Sequence, residues 1–490
     1  MMVRVADRIS NIQFTSALLG GAGLAGIAAA VPSLEVKNNF FVNPSTNKRF
    51  QVVGVAYQPG GSAGYNPEES KDPLSDGEVC KRDAALMQTL GLNAIRVYNL
   101  NPDINHDECA SVFNAAGMYM LLDVNSPLSG ESINSGEPWT SYYASYLNRT
   151  FAVVEAFKDY PNTLAFFAGN EVIDNVDAGE TVPPYMRAVT RDLKNYIAKH
   201  SSRSIPVGYS AADVRDILFD SWNYLQCSMN GSSSDMSHAD LFALNSYSWC
   251  GESSFTESGY NTLVDGFQGS TVPVFYSEYG CNEPYPRLFD EVQSIYSSNM
   301  TDVFSGGIVY EYSQETSNYG LVKIYDNGTA QLLDDYHTLA NQLAKLDFES
   351  IQDTEIDDSL LVTDLVECEA SLITEDSFND NFTIPSLPPN TSTILENGVD
   401  PAPSGSIISI DDYSFSYTIL DVDGAEIADI KVAALDDNDI NSSGANGQDI
   451  SSDSGSGSDS DSGDEDAAAG ITAPTMGVMI AAVAGMLAVL

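Results

Sequence analysis

The apolar run Leu164-Ala-Phe-Phe-Ala-Gly-Asn170-Glu171 ends in a carboxylate, and the run Val274-Phe-Tyr-Ser277-Glu278 ends in the same way. A short apolar run that stops at polar residues is typical of a strand buried on both faces, as in a parallel sheet. The two runs therefore predict two buried strands of one sheet, each with a glutamate at its carboxyl end.

The same short apolar runs alternate with longer amphipathic stretches through the middle of the chain. This is the pattern of repeated strand–helix units around a parallel sheet. The predicted strands lie near residues 50–57, 94–98, 118–123, 163–169, 206–210, 241–245, 274–277 and 306–310. The predicted helices between them include residues 77–90, 107–116, 142–158, 184–200 and 290–298. Eight such strands favour an α/β fold in which the sheet closes into a (β/α)8 TIM barrel.

The predicted strand ends are rich in polar and aromatic side chains. In a (β/α)8 barrel, the chemistry lies at the rim where the strands end. Two carboxylates at one such rim are the groups that cleave a glycosidic bond with retention, one as acid/base and the other as nucleophile. The other residues at these ends are Tyr57, Gln58, Arg96, Tyr98, Asn99, Asp123, Asn170, Tyr209, Ser210, Asn245, Tyr247, Tyr279, Tyr310, Glu311 and Tyr312. Asp123 and Glu311 are predicted as structural hydrogen-bonding groups outside the catalytic set.

Both ends of the chain carry the patterns of targeting signals. Arg4 and Arg8 precede an apolar, small-residue run that ends at Ala30, which predicts a secretory signal peptide over residues 1–30. A membrane-anchoring first helix is the alternative. The uncharged apolar tail predicts a glycosylphosphatidylinositol (GPI) anchor signal over residues 467–490, removed on processing, with the lipid attached to Asp466 or Ala467.

The chain between these signals divides into three predicted parts. Residues 31–350 form the catalytic barrel, residues 351–400 an extension, and residues 401–466 an acidic Ser/Gly/Asp-rich linker or stalk. From Ile351 onward there are 28 acidic residues and one basic residue, which accounts for 27 of the 48 net negative charges. The linker or stalk over residues 401–466 buries little and is predicted to be disordered, although an alternation from Tyr413 to Ile419 leaves a small β element open. This acidity argues against nucleic acid as a partner, because phosphate binding needs Lys and Arg.

Cysteines and glycosylation acceptors agree with a secreted chain. The six cysteines are even in number and lack a CxxC spacing, which favours three disulfides over a metal site in an oxidising compartment, although fifteen pairings remain open. Seven Asn-x-Ser/Thr acceptors are present, at Asn148, Asn230, Asn299, Asn327, Asn381, Asn390 and Asn441. The four histidines are scattered, so the sequence predicts neither a metal nor a cofactor.

Seven sequence blocks, which follow one another in order within residues 36–370, resemble one known family. The blocks are Gly54-Val-Ala-Tyr-Gln-Pro-Gly-Gly61, Ile95-Arg-Val-Tyr-Asn-Leu-Asn-Pro102 with His106-Asp-Glu-Cys109, Ala168-Gly-Asn-Glu-Val172, Ser210-Ala-Ala-Asp213, Asn245-Ser-Tyr-Ser-Trp-Cys-Gly251, Ser277-Glu-Tyr-Gly-Cys-Asn282 and Gly306-Gly-Ile-Val-Tyr-Glu-Tyr-Ser313. Together they are similar to the fungal GPI-anchored 1,3-β-glucanosyltransferases of glycoside hydrolase family 72.

The resemblance implies a role for each residue at the rim. Glu171 would be the acid/base, and Glu278 the nucleophile that forms a covalent glycosyl-enzyme. Asn170 would bond the 2-hydroxyl of the sugar, while Arg96 and Tyr247 would keep the nucleophile ionised. The complete substrate-binding set that the resemblance implies is Gln58, Arg96, Tyr98, Asn170, Tyr247 and Tyr310.

The resemblance also implies how the cysteines pair. The expected disulfides are Cys80 with Cys109, Cys227 with Cys368, and Cys250 with Cys281, so that Cys368 tethers the extension to the barrel. No cysteine follows Cys368, which resembles the short class of the family without the Cys-rich carbohydrate-binding module. The acid/base block continues with Ile173 and Asp174, where many relatives have other residues, and this departure puts the level of activity in question.

The activity that the resemblance implies is cleavage of β-1,3-glucan inside the chain, with retention, and transfer to the non-reducing end of a second β-1,3-glucan. Its partners would be glucan donor and acceptor chains and, through a GPI lipid, the membrane. The protein would then work at the outer face of the plasma membrane and in the cell wall. Two alternatives remain open: a retaining endo-β-glucanase, in which water is the acceptor, and a catalytically weak glucan-binding wall protein.

Overall fold

The structure of the chain, a computed structural model, describes residues 31–352 and 354–444. The predicted signal peptide over residues 1–30, the anchor signal over residues 467–490 and its attachment residues Asp466 and Ala467 lie outside the described residues, as do residues 445–466 of the expected stalk. Within the described ranges, no helix combines the length and hydropathy that a bilayer crossing requires.

Short strands and longer helices alternate along the described chain. The strands are β1 (Glu35–Lys37), β2 (Phe40–Asn43), β3 (Lys48–Phe50), β4 (Val52–Ala56), β5 (Ala94–Val97), β6 (Tyr119–Asp123), β7 (Thr163–Asn170), β8 (Val207–Ala212), β9 (Leu241–Asn245), β10 (Val274–Tyr279), β11 (Phe304–Val309), β12 (Val322–Ile324), β13 (Ala330–Leu332), β14 (Ile419–Leu420) and β15 (Glu426–Ile427). The helices are α1 (Gly61–Gly64), α2 (Gly77–Thr89), α3 (Asp107–Ala115), α4 (Ala144–Phe157), α5 (Val176–Thr181), α6 (Pro183–His200), α7 (Leu218–Gln226), α8 (Tyr260–Phe267), α9 (Glu291–Ile295), α10 (Asp334–Leu343), α11 (Phe348–Gln352) and α12 (Thr391–Asn397). Short 3-10 turns lie at Pro67–Glu69, Pro138–Thr140, Met229–Gly231, Asp358–Leu360 and Ala370–Leu372.

The eight strands from β4 to β11 close into a parallel barrel in chain order. Each overlaps one of the eight strands predicted from sequence, so the (β/α)8 TIM barrel is confirmed. Strand residues alternate between two apolar environments: in β4, Val52 and Ala56 belong to the barrel interior, whereas Val53 and Val55 belong to the layer between strands and helices. This double burial explains why the strands read as continuous apolar runs.

The antiparallel sheet β1–β2–β3 closes one end of the barrel. Phe41 meets Phe275 of β10 edge to face at 5.7 Å between ring centroids, and Phe50 meets Tyr119 of β6 at 5.1 Å. Both phenylalanines belong to the interior cluster of the barrel. The first hairpin therefore plugs the end at which the strands begin and leaves the opposite rim open.

Three disulfides fasten loops and extension to the barrel, with the pairing that the resemblance implies. Cys80–Cys109 joins α2 to α3, and Cys250–Cys281 joins the loops that follow β9 and β10. Cys227–Cys368 joins the end of α7 to the extension. The extension stays against the barrel beyond this bond, because Tyr224 of α7 stacks on Phe382 at 4.6 Å.

The structure corrects the expected start of the linker at residue 401. Residues 401–444 form a strap that crosses α3 and α2, adds β14 to β13, and returns between α2 and α3. In the part of the strap that leads to β14, the side chains of Tyr413, Phe415 and Ile419 pack against the hydrophobic core. The serines between them are exposed to solvent. The composition of the whole segment is dominated by its aspartates and serines, and the few apolar residues that alternate with them do not stand out. For this reason the segment resembles an unstructured chain.

The strap ends at the plugged end of the barrel. Leu435 donates its backbone N–H to the carbonyl of Ala115, and Asn441 donates its backbone N–H to the carbonyl of Gly117 at 3.0 Å. The side chain of Asn441 bonds the carbonyl of Leu92, which lies just before β5. The last described residues of the strap are therefore bound where β5 and β6 begin.

These contacts exclude one of the seven predicted glycosylation acceptors. Asn441 is fully buried, and its Nδ2 donates to the carbonyls of Gln88 at 3.1 Å and Leu92 at 2.8 Å. A glycan on Nδ2 would replace one of these donors and would need space that the folded strap fills. The other acceptors lie on the surface, with Asn148 half-buried and the rest exposed.

Asn441→Ala is expected to lower the free energy of unfolding by about 1–3 kcal/mol, because two buried carbonyls lose their donor. Urea denaturation of the two proteins measures the difference. Ser443→Ala, which removes an exposed hydroxyl two residues later, is the matched control and should change stability by less than about 0.5 kcal/mol. Equal midpoints for Asn441→Ala and the parent chain would show that the strap end contributes nothing to stability.

Candidate active site

An open cleft of about 710 Å³ lies at the carboxyl ends of the barrel strands. Six residues of the predicted set line it: Gln58, Tyr98, Asn170, Glu171, Glu278 and Tyr310. Arg96 and Tyr247 contact Glu278 from beneath and beside this cleft. The structure thus brings all eight predicted catalytic and substrate-binding residues together at one rim.

Glu278 lies at the end of β10 with both carboxylate oxygens held. The hydroxyl of Tyr98 donates to Oε1 at 2.9 Å, and the hydroxyl of Tyr247 donates to Oε2 at 2.7 Å. Arg96 adds a bond from Nη1 to Oε1 at 3.2 Å. Burial raises the pKa of Glu278 to about 7, with a further contribution from Glu171, while Arg96 and the two phenols oppose that rise. Glu278 is therefore a buried carboxylate that depends on its three donors for ionisation.

Arg96 is fully buried beneath the cleft and binds several acceptors at once. Asp123 takes a bidentate pair of bonds, from Nε at 3.0 Å and from Nη2 at 3.2 Å. The guanidinium also lies over the rings of Tyr98 and Phe167, 4.5 and 4.7 Å from their centroids. Burial opposes the charge, but Asp123 and Glu278 hold the pKa of Arg96 above its usual value. The cation is thus fixed in place beside Glu278.

Glu171 follows the last residue of β7 in the left-handed backbone region, with φ at 52°. Its backbone N–H donates to the carbonyl of Ser210 at 2.8 Å, which holds this conformation. A non-glycine residue pays roughly 1 kcal/mol for such a backbone, and such residues cluster at functional sites. The side chain is exposed to the cleft, and its Oε1 accepts a bond from Asn245 at 2.9 Å.

Asn245, at the end of β9, connects the two glutamates. Its Nδ2 donates to Glu171 and also to Oδ1 of Asn170, at 3.1 Å. Its Oδ1 accepts from Nη1 of Arg96 at 3.2 Å, the same nitrogen that binds Glu278. The sequence pattern predicts Asn245 at the end of a strand, but Asn245 is absent from the predicted catalytic and substrate-binding residues. The signal that marks it is its place two residues before Tyr247.

Three tyrosines form a wall beside Glu278. The ring centroids of Tyr247 and Tyr310 are 6.3 Å apart, and Tyr319 lies 5.5 Å from Tyr247 and 5.4 Å from Tyr310. Tyr319 was missed because it lies in the loop between β11 and β12 rather than at a strand end. No rule based on strand ends finds such a residue, and only the closed barrel brings it to the rim.

Asp123 and Glu311, which the sequence predicts as structural hydrogen-bonding groups, also lie at this rim. Asp123 lines the cleft while it binds Arg96. Glu311 is buried after β11, and burial together with neighbouring Glu315 raises the pKa of Glu311 to about 8. Asp123 therefore acts on Glu278 through Arg96, while Glu311 adds a second carboxyl group whose pKa Glu278 helps to raise.

Ile173 and Asp174, which follow Glu171 in the chain, lie in different surroundings. Ile173 is buried, and its backbone N–H donates to the hydroxyl of Tyr209 at 2.7 Å. Asp174 lines the cleft, and partial burial raises the pKa of Asp174 above its usual value. Asp174 therefore places a carboxyl group on the cleft wall, three residues after Glu171 in the chain.

Comparisons with known proteins point to one family. A family model described as "Glucanosyltransferase" (Glyco_hydro_72) matches residues 24–347. The 1,3-beta-glucanosyltransferase gel2 of Aspergillus fumigatus is 51% identical over 422 residues, which is 86% of this chain and 87% of the relative. The "Probable 1,3-beta-glucanosyltransferase GAS3" of Saccharomyces cerevisiae is 45% identical over 81% of this chain and 80% of its own length.

The solved structure of Saccharomyces cerevisiae Gas2p in complex with laminaripentaose is similar in fold. It superposes with a TM-score of 0.65 at 34% sequence identity, covering 74% of this chain and 78% of that chain. A structure of a mutant of the same protein holds laminaritetraose and laminaripentaose, with a TM-score of 0.60 at 34% identity over 73% of this chain and 75% of that chain.

Proposed function

Because this chain belongs to the glucanosyltransferases of glycoside hydrolase family 72, we propose that it is a cell-surface 1,3-β-glucanosyltransferase. It cleaves β-1,3-glucan inside the chain, holds one part as a covalent glycosyl-enzyme, and transfers it to the non-reducing end of a second β-1,3-glucan. One observation carries the assignment of roles: Glu278 is buried among three donors, while Glu171 stands exposed in the same cleft, joined to it through Asn245 and Arg96.

In the first step, Glu278 attacks the anomeric carbon and Glu171 protonates the leaving glycosidic oxygen. Three donors converge on Oδ1 of Asn170, from Arg96, Ser210 and Asn245. Its Nδ2 then remains as the group that meets the 2-hydroxyl of the sugar. That bond strengthens as the ring approaches an oxocarbenium ion, so it favours the transition state over bound substrate.

In the second step, the acceptor decides the product. Glu171, now ionised, takes the proton of the acceptor's 3-hydroxyl, and that oxygen attacks the anomeric carbon and releases Glu278. Water in the same position would give hydrolysis. Tyr310 of the tyrosine wall lines the cleft beside Glu278 and offers its ring to a bound sugar, which supports binding of a glucan chain at this point.

Tyr247→Phe is expected to shift the acid limb of the kcat/KM profile toward alkaline pH by about one unit. The phenol lowers the pKa of Glu278 by donating to its ionised form, and one bond to a charged group is worth ~1.5 kcal/mol. Without it, Glu278 stays protonated to higher pH, so activity is lost mainly on the acid side. The ring remains to pack against Tyr310. An unmoved acid limb would contradict the role given to the hydroxyl.

The proposed location is the outer face of the plasma membrane, by a GPI anchor, and the cell wall. The sequence patterns of residues 1–30 and 467–490 support it, as do three disulfides and surface-exposed glycosylation acceptors. Entry into the secretory pathway explains the disulfides, because such bonds persist in oxidising compartments. Release of the protein from intact cells by a GPI-specific phospholipase tests the anchor, and retention after treatment would contradict it.

Product analysis separates transfer from its alternatives. The purified protein is incubated with a borohydride-reduced laminari-oligosaccharide, and products are separated by length. The proposal expects products longer than the substrate. Products that are only shorter would identify an endo-β-glucanase, and binding without any product would identify a wall protein with little catalysis. Glu278→Gln serves as the inactive control in the same assay.

A further inference from the structure

We propose that Asn327 carries an N-linked glycan whose first N-acetylglucosamine packs on the ring of Tyr325 and so becomes part of the fold. The inference rests on the proposed entry of the chain into the secretory pathway. It goes beyond an acceptor sequence, because it assigns the sugar a binding site on the protein. That site lies on the hairpin β12–β13, away from the catalytic cleft.

The turn between β12 and β13 presents Asn327 in a fixed orientation. Tyr325 donates its backbone N–H to the carbonyl of Thr329 at 2.9 Å, and Gly328 donates to the carbonyl of Tyr325 at 2.8 Å. Gly328 has φ at 82°, which glycine adopts without steric cost. The Oδ1 of Asn327 accepts the N–H of Thr329 at 3.1 Å. The amide oxygen of Asn327 is thus held by a hydrogen bond, and Nδ2 is the atom to which a glycan would be attached.

Tyr325 offers a ready platform two residues before Asn327. Its side chain is 38% exposed, and a shallow depression of about 470 Å³ beside it is lined by Tyr325, Asp326, Asn327, Thr329 and Leu420. The ring is held by its hydroxyl, which donates to Oε1 of Gln331 at 2.6 Å, and by Lys323, 4.8 Å from the ring centroid. A sugar presents C–H groups on one face, so contact with this ring buries apolar surface.

Other acceptor sites do not combine these features. Asn381 has the same local bond, from the N–H of Thr383 to its Oδ1 at 2.9 Å, but Asn379 stands two residues before it. Tyr146 stands two residues before Asn148, yet it is fully buried in α4 and cannot receive a sugar. Asn381 therefore serves as the matched control for Asn327.

The same hairpin also holds the strap. Strand β14 pairs with β13 in parallel, with Gln331 opposite Leu420, and Leu420 lines the depression beside Asn327. Arg82 of α2 donates to the carbonyl of Gly328 at 2.7 Å, which fixes the hairpin to the barrel. A sugar on Asn327 would contact Tyr325 on one side and Leu420 on the other. It would therefore join the hairpin to the strap.

Attachment is a group transfer whose donor is a lipid diphosphate-linked oligosaccharide. The Nδ2 of Asn327 loses one proton and displaces the lipid diphosphate from C1 of the first N-acetylglucosamine. One C–N bond forms, one C–O bond breaks, and the lipid diphosphate leaves with the electron pair. No change of oxidation state occurs, and the transfer needs no further reactant.

The test compares glycoforms of the full chain produced in a yeast host. Endoglycosidase H leaves one N-acetylglucosamine on each asparagine, whereas peptide N-glycosidase F removes the whole glycan and converts the asparagine to aspartate, so the uncharged Asn327→Gln variant controls for the new charge. We expect amide hydrogen exchange in residues 322–332 and 419–427 to be unchanged by the first enzyme and about fivefold faster after the second. Asn327→Gln should match the second treatment, while Asn381→Gln should leave exchange in these segments unchanged.

Tyr325 variants test the contact itself. In Tyr325→Ala, complete removal of the sugar should have no further effect on exchange, whereas in Tyr325→Phe the fivefold difference should persist. Glycopeptide mapping that finds Asn327 unoccupied would overturn the proposal, as would a sugar effect of equal size in Tyr325→Ala. Glucan transfer is not a readout here, so failure of the proposed enzymatic function would leave these results unaffected.

Discussion

Glu278→Gln is expected to lower kcat for transfer by about 10⁴-fold or more, because an amide cannot form the glycosyl-enzyme. The side chain keeps its shape in the site. The amide nitrogen of the glutamine is itself a donor, however. It would face another donor, because Tyr98, Tyr247 and Arg96 all donate to Glu278. The variant therefore loses both the nucleophile and the complementarity of its surroundings.

Intact-protein mass spectrometry checks this expectation. A 2-fluoro-laminaribiosyl fluoride has a good leaving group and forms a slowly hydrolysed ester with the nucleophile, so the parent protein should gain the mass of one 2-fluoro-laminaribiosyl group. Glu278→Gln should gain nothing. Glu311→Gln, which replaces another buried carboxyl group at the same rim by an amide of the same shape, is the matched control and should still be labelled. Labelling of Glu278→Gln would show that another residue is the nucleophile.

Glu171→Ala is expected to lower kcat on laminari-oligosaccharides by about 10³-fold, with a much smaller loss on a substrate whose leaving group needs no proton. The side chain of Glu171 is exposed and accepts one hydrogen bond, from Asn245, while the backbone bond to Ser210 is kept, so the fold should survive the change. The first step persists with an activated glycosyl fluoride, and the glycosyl-enzyme then accumulates because no base activates the acceptor. Replacement of Glu278 and replacement of Glu171 are therefore expected to cause two distinguishable kinetic defects.

Rescue by azide measures the role of Glu171 as the general base that activates the acceptor. The small anion needs no general base and fits the space that the carboxylate leaves, so it should restore turnover of Glu171→Ala and yield a β-glycosyl azide. Glu171→Gln retains the bulk and should be rescued less. An α-configured azide would indicate displacement without a covalent intermediate, and an equal loss on both kinds of substrate would show that Glu171 is not the acid.

Burial pattern explains why the barrel is predictable from sequence. Strands that are buried on both faces, such as β7 and β10, must be apolar along their whole length, and their polar residues are confined to the ends. The residues that do chemistry are then the ones that stand out from the apolar background. Asn170, Glu171 and Glu278 were found in this way.

The same rule fails where contacts are distant in sequence. Tyr319 reaches the rim through a loop, and Asn441 is bound by carbonyls some 350 residues earlier in the chain. Neither residue has a local pattern that distinguishes it from a surface residue. An Asn-Ser-Ser acceptor sequence describes Asn441 equally well whether it faces solvent or, as here, the base of the barrel.

The path of the strap has a mechanical consequence for a polymer-processing protein. The strap is fastened at Asn441 beside Gly117, where the strands begin, whereas the cleft opens where the strands end. The last described residues of the strap, up to residue 444, therefore lie at the end of the barrel opposite the cleft. A long glucan can therefore enter at one side of the rim and leave at the other without meeting the end of the strap.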